Sequence, residues 1–189
     1  MGKKKDRALA RQELRERFQE VHLDYARAME QAQELEHTLI LISLAMGTAT
    51  TVEALESDAL DLARKPIERL RRELGSRFGG ELGQLERDID RVRRIRNFLA
   101  HNYFHERSFA LVSMEGCEYM GDELLRASMF IGLVTERLMD KFEDRILSFG
   151  ENLTEEESER IEALLEPEVD SFGAPIPGLP EPGTVPGML

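Results

Sequence analysis

The chain contains very little cysteine and few aromatic residues. One cysteine, Cys117, occurs among 189 residues, tryptophan is absent, and aromatic residues make up 6%. A single cysteine excludes an internal disulfide framework, so we expect a reducing compartment, the cytoplasm, and a packed rather than nucleophilic thiol. The longest apolar run, from Leu39 to Met46 with one serine inside, is too short to span a bilayer, which argues against a membrane protein.

Basic residues open the chain, but no apolar segment follows them, so we expect no secretory leader. Hydrophobic residues make up 41% of the sequence, which is enough for the core of one domain of this length. We expect a helical domain over residues 1–150, a short acidic helix over 151–166 and a disordered tail over 167–189. That tail contains six of the seven prolines.

Apolar residues recur in alternating steps of four and three along the first quarter of the chain. These positions are Leu14, Phe18, Val21, Tyr25, Ala28, Ala32, Leu35, Leu39, Ile42 and Met46. Such spacing predicts one long helix with a coiled-coil-like seam, which needs a partner helix from the same chain or from a second copy. Since no segment alternates as a strand does, the sequence predicts an all-α, antiparallel helical bundle with a long N-terminal helix.

Capping signals, glycines and a proline divide the rest of the chain. The segment Thr50-Thr51-Val52-Glu53 predicts a capping box for a second helix, which we expect to break near Lys65-Pro66 and to resume as far as Leu74. Further helices are predicted at about 81–105, 121–149 and 155–165, with a turn over 75–80 and an irregular segment over 106–119. A second capping box is predicted at the start of the last helix.

The net charge is −12, but it is unevenly distributed. Residues 1–17 have a net charge of +4 and residues 64–96 of +5, which leaves −21 for the remainder. The second basic block supplies the candidate RNA-binding residues, together with one histidine beyond it: Arg87, Arg91, Arg93, Arg94 and His105. A phosphate backbone can follow such a stripe despite the overall sign. The alternative is a solvated helix face with ion pairs such as Asp90 with Arg94.

The basic block runs into the segment RNFLAHNYF, residues 96–104. His101 suits proton transfer near neutral pH, and the Arg96 guanidinium matches a phosphate. Together with Asn97 they fit phosphodiester chemistry that needs no metal. Asn97, His101 and His105 are four residues apart and share one helix face, whereas Arg96 is about 140° from His101. Arg96 can therefore curl toward His101 or meet the His101 of a second copy across a two-fold axis.

The pattern Arg-x4-His-x-Tyr, here Arg96, His101 and Tyr103, resembles the signature of the HEPN superfamily, and Asn97 occupies the favoured place after the arginine. The resemblance implies an all-helical homodimer with metal-independent endoribonuclease activity, no cofactor, and a role in toxin–antitoxin or antiviral systems. It further implies that Arg96 and His101 are the catalytic pair, oriented by Asn97 and Tyr103. In HepT-type toxins the tyrosine of the motif is nucleotidylated by a cognate protein antitoxin, which corresponds to Tyr103 here.

Two alternatives stay open at this point. In the first, the chain is a non-catalytic helical module that binds a nucleotide, an RNA or a protein partner such as a nucleotidyltransferase antitoxin. The acidic C-terminal part favours a protein partner. Alternatively, the heptads indicate a coiled-coil assembly factor in which Arg96 and His101 can be replaced without effect. The motif residues are then structural: Arg96 pairs with Asp90 or with an acid of the first helix, His101 is a buried histidine, and Tyr103 belongs to the core. His101 and His105 have a spacing that can bind zinc, but no third ligand is evident, so we predict no metal site.

Overall fold

The computed structural model describes residues 2–47, 51–78 and 82–165, and every regular element in these ranges is helical. The helices are α1 (Gly2–Ala45), α2 (Val52–Ala63), α3 (Ile67–Phe78), α4 (Gln84–His101), α5 (Tyr103–Glu106), α6 (Met114–Glu151) and α7 (Glu155–Leu165), with a short 3₁₀ turn (Ala110–Val112) before α6. The predicted all-α fold is confirmed for these ranges, in which there is no strand. The tail over 167–189, predicted to be disordered, lies outside the described residues.

The two longest helices, α1 and α6, pack along each other in the same direction. Asp24 lies beside Gly121, and Gln31 lies beside Gly132, so residue numbers rise together along both helices. The predicted antiparallel packing is therefore wrong for this pair. The reason is connectivity, since α2 to α5 lie between the two long helices in sequence and return the chain to the starting end of α1.

Helix α4 runs antiparallel to α1. The Tyr25 hydroxyl donates to the Leu99 carbonyl oxygen at 3.2 Å, and Glu36, further along α1, pairs with Arg96, which comes earlier in α4. Because α6 is parallel to α1, it too is antiparallel to α4. The candidate motif therefore lies on a helix that packs against both long helices.

The seam of α1 finds its partner within the same chain. Six of its positions are at most 1% exposed: Val21, Ala28, Ala32, Leu35, Leu39 and Ile42. They join two clusters of buried apolar residues that include residues of α6 in both cases. The earlier seam residue Phe18 remains 38% exposed. The seam is thus an intrachain contact over most of its length.

Several helix boundaries differ from the predictions. Helix α2 is capped by Thr51, whose hydroxyl accepts from the Ala54 N–H at 3.3 Å, while Thr50 lies outside the described residues. Helix α3 passes through Gly75 and ends at Phe78 instead of Leu74. Glycine costs only about 1 kcal/mol inside a helix, and the buried side chains of α3 on both sides of it offset that cost.

Helix α6 begins at Met114, seven residues before the predicted start at Gly121. Its N-cap is Ser113, whose hydroxyl accepts from the Gly116 N–H at 3.1 Å. The predicted irregular segment therefore ends sooner than expected, because a serine cap and not the glycine marks the start of the helix.

The last helix begins as predicted. The Thr154 N–H donates to the Glu157 carboxylate at 2.7 Å, and the Glu157 N–H donates to the Thr154 hydroxyl at 3.3 Å, which is a complete capping box. Ile161 of α7 is buried in the larger core cluster, so the acidic helix packs onto the helical domain. None of the described helices has the length and apolar character needed to cross a bilayer.

A glycine in the first turn of α6 allows the 3₁₀ turn to lie directly against the helix. A Cβ atom on Gly116 would lie 2.1 Å from the Ala110 carbonyl oxygen, whereas one on Gly150 would meet nothing within 4 Å. We expect Gly116→Ala to lower the free energy of unfolding by about 1–3 kcal/mol through overpacking. Gly150→Ala is the matched control and should not destabilise the protein. Urea denaturation of both variants checks this, and equal midpoints would contradict it.

Candidate functional site

Helix α4 has one buried face and one face open to solvent. Its buried residues include Leu85, Ile89, Val92 and Leu99, which recur at helical spacing and explain why the segment folds against the core. The opposite side, called here the outer face of α4, consists of the exposed residues Arg87, Arg91, Arg94, Asn97 and His101. These five positions fall within about 120° of one another around the helix axis. The outer face therefore combines three arginines with the motif histidine and asparagine.

His101 is the last residue of α4 and is exposed. Within the described part of the chain, its imidazole has no hydrogen bond or ion pair with another side chain. Asn97 precedes it by one turn on the same face, as predicted. An exposed imidazole without a protein partner remains accessible to a substrate, which is the condition for proton transfer.

Arg96 points away from His101 toward α1. Its Nε atom lies 3.5 Å from a carboxylate oxygen of Glu36, and both side chains are about a third exposed, at 36% and 30%. Burial raises the pKa of Glu36, and the Arg96 charge acts in the opposite direction. Since Arg96 and His101 are about 140° apart on the helix, one chain does not bring the two side chains together on the same face.

Tyr103 is part of the core. Its side chain is 1% exposed, and its hydroxyl donates to the Met120 carbonyl oxygen of α6 at 3.1 Å. Burial, with the nearby Glu123 carboxylate, raises its pKa well above the ordinary tyrosine value. The Arg107 guanidinium lies 6.0 Å from the ring centroid. In this arrangement Tyr103 joins α5 to α6 and is shielded from solvent.

The helix that contains the motif is shorter than predicted. It ends at His101 because Asn102 leaves helical geometry, with φ −125° and ψ −20°, while its N–H still donates to the Phe98 carbonyl. His105 therefore belongs to the separate short helix α5 and does not continue the row of Asn97 and His101 along α4. It is exposed on that short helix.

The predicted basic residues divide into two groups. Arg93 turns toward α3, where its guanidinium lies 3.3 Å from the Glu68 carboxylate. It also pairs with Asp90 of its own helix at 2.9 Å, and its side chain is 30% exposed. The three arginines of the outer face are more open. Arg94 is 63% exposed and pairs with Asp90 at 3.0 Å, as the solvated-face alternative predicts. Because exposed pairs contribute little to stability, Arg94 can exchange this carboxylate for a phosphate at small cost.

A groove between α4 and α6 was not predicted from the sequence. It encloses about 540 Å³. Its wall is formed by Ile95, Phe98, Leu99, Tyr103, Leu124, Ala127 and Phe130, and its mouth by Arg94, Glu123 and Arg126. We call it the α4/α6 groove. The one feature of the sequence that could have indicated this groove was Phe98, an aromatic residue on the side of α4 opposite the buried leucines.

An ion pair fixes one end of this groove. Arg107 donates to both oxygens of Glu123, at 2.8 and 3.0 Å, and its guanidinium lies 5.6 Å from the centroid of the Phe98 ring. The bidentate pair neutralises the Glu123 carboxylate and joins α6 to the segment after α5. The hydrogen bonds of Arg107 raise its own pKa further.

The other candidate sites in the described part of the chain are a reactive cysteine and a metal site. Cys117 is buried as predicted, and burial raises the pKa of its thiol, which lowers the fraction of reactive thiolate. In the described residues, no three histidine, cysteine, aspartate or glutamate side chains are grouped so that they could hold a metal ion.

Comparison of the chain with protein-family models, with curated proteins and with solved structures gives no match.

Proposed function

We propose that the protein is a metal-independent endoribonuclease of the HEPN type, acting in the cytoplasm as a homodimer. The observation that supports this most directly is the exposed His101, which has no hydrogen-bond partner among the described residues and shares the outer face of α4 with Asn97 and three arginines. Those arginines offer a path for a phosphate backbone that ends at the candidate base. The resemblance of the Arg96 to Tyr103 segment to the HEPN motif supplies the reaction class.

In the proposed reaction the His101 imidazole removes the proton from a ribose 2′-hydroxyl. The 2′-oxygen then attacks the adjacent phosphorus, the bond from phosphorus to the 5′-oxygen breaks, and that oxygen accepts a proton from water, while the His101 imidazolium returns its proton to the solvent. The products are a 2′,3′-cyclic phosphate and a 5′-hydroxyl. Arg96 stabilises the negative charge that develops on the phosphoryl oxygens, and Asn97 orients the reacting groups.

The geometry of α4 supports the homodimer within this proposal. Arg96 of one chain points toward Glu36 and away from the His101 of the same chain. A two-fold axis beside α4 presents the His101 of a second copy to Arg96, so that each site takes one residue from each chain. An RNA-cleaving dimer of this kind fits the toxin or antiviral role that the resemblance implies.

A non-catalytic helical module is the second candidate, and two contacts favour it. Arg96 is engaged by Glu36, and the Tyr103 hydroxyl by the Met120 carbonyl, so two residues of the motif have structural partners. In this case the same surface binds a nucleotide, an RNA or a protein such as a nucleotidyltransferase antitoxin without breaking a bond.

Cleavage of a mixed RNA pool by the purified protein in EDTA tests the first candidate against the second. We expect fragments that end in 2′,3′-cyclic phosphate, because the 2′-oxygen is the nucleophile. The same sequences with 2′-O-methyl ribose should remain intact, since they lack that nucleophile. Mass spectrometry of the fragments and light scattering of the protein provide the readouts. Intact RNA at all protein concentrations would overturn the nuclease and favour the binding module.

A further inference from the structure

The α4/α6 groove combines an apolar, aromatic wall with a basic mouth. Phe98 on α4 and Phe130 on the facing side of α6 are the partly exposed rings of this wall. Tyr103 packs edge to face against Phe98, with ring centroids 6.0 Å apart, and is itself only 1% exposed. The groove is open to solvent and encloses about 540 Å³. Flat aromatic ligands bind such walls by stacking, and the bases of a nucleic acid are flat aromatic groups attached to negatively charged phosphates.

Two arginines at the mouth supply the complementary charge. Arg126 is exposed, and its Nε atom donates to the Asp122 carbonyl oxygen of its own helix at 3.2 Å. Among the described residues it pairs with no carboxylate. Arg94 is 63% exposed, and its ion pair within the described ranges is the contact to Asp90 near the surface. Both guanidinium groups therefore keep donors for a phosphate oxygen.

The groove is continuous with the outer face of α4. Phe98 follows Arg94 by four residues and precedes His101 by three, so it lies on the same side of the helix as both. An RNA strand that follows the exposed arginines toward His101 passes the mouth of the groove. The carboxylate at the mouth, Glu123, is neutralised by Arg107 and does not repel that strand as a free charge would.

We propose that the α4/α6 groove binds one unstacked base of single-stranded RNA, with the neighbouring phosphates on Arg94 and Arg126. This inference rests on the proposed RNA-cleaving function and names its substrate class as single-stranded RNA. A base within a duplex is stacked and paired and cannot enter the groove, so the site discriminates against double-stranded RNA.

Fluorescence anisotropy with a labelled single-stranded 2′-O-methyl RNA of about 12 nucleotides tests the inference without cleavage. Phe130→Leu keeps the apolar volume and removes the ring, and we expect about fivefold weaker binding of the single strand. Arg126→Gln, at an exposed position, should weaken binding. The slope of the logarithm of the binding constant against the logarithm of the salt concentration should become about 0.7 less steep, which is the value of one phosphate contact to a single strand. Leu133→Ala, exposed on α6 outside the groove, is the matched control and should bind as the wild type does.

The results separate this inference from the proposed nuclease. Weaker binding of the single strand by the Phe130 and Arg126 variants, with little binding of the annealed duplex by the wild type, supports the groove as a base-binding site. This holds even when RNA with ordinary ribose is not cleaved. Unchanged binding by both variants overturns the groove site, even when the wild type cleaves RNA. A change of oligomeric state in Phe130→Leu, with unchanged RNA binding, also overturns it and assigns the groove to a second copy of the chain. Circular dichroism of each variant confirms that it is folded.

Discussion

Replacing His101 with alanine is expected to slow RNA cleavage at least about 100-fold, because general acid–base catalysis by a positioned side chain contributes about 10²–10⁴ to a rate. His101 is exposed and has no hydrogen bond to another side chain among the described residues, so its removal should change the free energy of unfolding by less than about 0.5 kcal/mol. The measurement is the single-turnover rate of cleavage in EDTA, with a thermal melt and a light-scattering mass for each protein.

His105→Ala is the control for that substitution. His105 is also exposed, but it lies on α5, beyond the break at Asn102. We expect the His105 variant to keep most of the activity. Full activity in the His101 variant would exclude it as the catalytic base, and equal losses in both variants would indicate a general effect of histidine charge on RNA binding.

The sequence predicted best those features that depend on residues near one another in the chain. The spacing of apolar residues predicted α1 and its buried face, and the capping box of α7 was identified from Thr154 and Glu157. The shared face of Asn97 and His101 likewise followed from helical spacing. These features depend on helix periodicity and on hydrogen bonds within one turn, which a single segment determines by itself.

Features that join distant segments could not be predicted in the same way. Periodicity shows which side of α1 is buried but not which helix covers it, so neither the covering helix nor the parallel direction of α6 was predicted. The partner of Arg96 is Glu36 of α1, sixty positions earlier in the chain; an acid of the first helix was one of the two partners expected, but the sequence did not indicate which acid. Tyr103 could have been placed on the surface or in the core, because an aromatic residue just beyond a helix end occurs in both places. The α4/α6 groove depends on two helices at once.

The second half of α6 is held to the beginning of α4 by another contact that the sequence did not indicate. Asp88 of α4 is 4% exposed, and its carboxylate accepts from the Arg137 Nη1 atom of α6 at 3.1 Å and from the Gln84 amide at 3.0 Å. A buried carboxylate needs such partners, because an unpaired charge in the core is strongly destabilising. This network therefore fixes the spacing of the two helices that form the α4/α6 groove.

We expect Asp88→Ala to lower the free energy of unfolding by about 2–4 kcal/mol. Removing one partner of a fully buried ion pair costs about 3–5 kcal/mol, and the cost is smaller here because the Arg137 side chain is 46% exposed and can recover part of its hydration. Asp90→Ala is the matched control: its carboxylate is 29% exposed and pairs with Arg93 and Arg94 near the surface. Its loss should cost about 1 kcal/mol or less.

Urea denaturation of the two variants gives this comparison directly, since both exchange an aspartate for alanine within α4 and the gain in helix propensity is the same. If Asp88→Ala and Asp90→Ala lost the same stability, the buried pair would have no special role in holding α4 to α6. If only Asp88→Ala is strongly destabilised, the spacing of the two helices depends on that pair. Single-stranded RNA binding should then weaken in Asp88→Ala, because the wall residues on α4 and α6 lose their fixed separation.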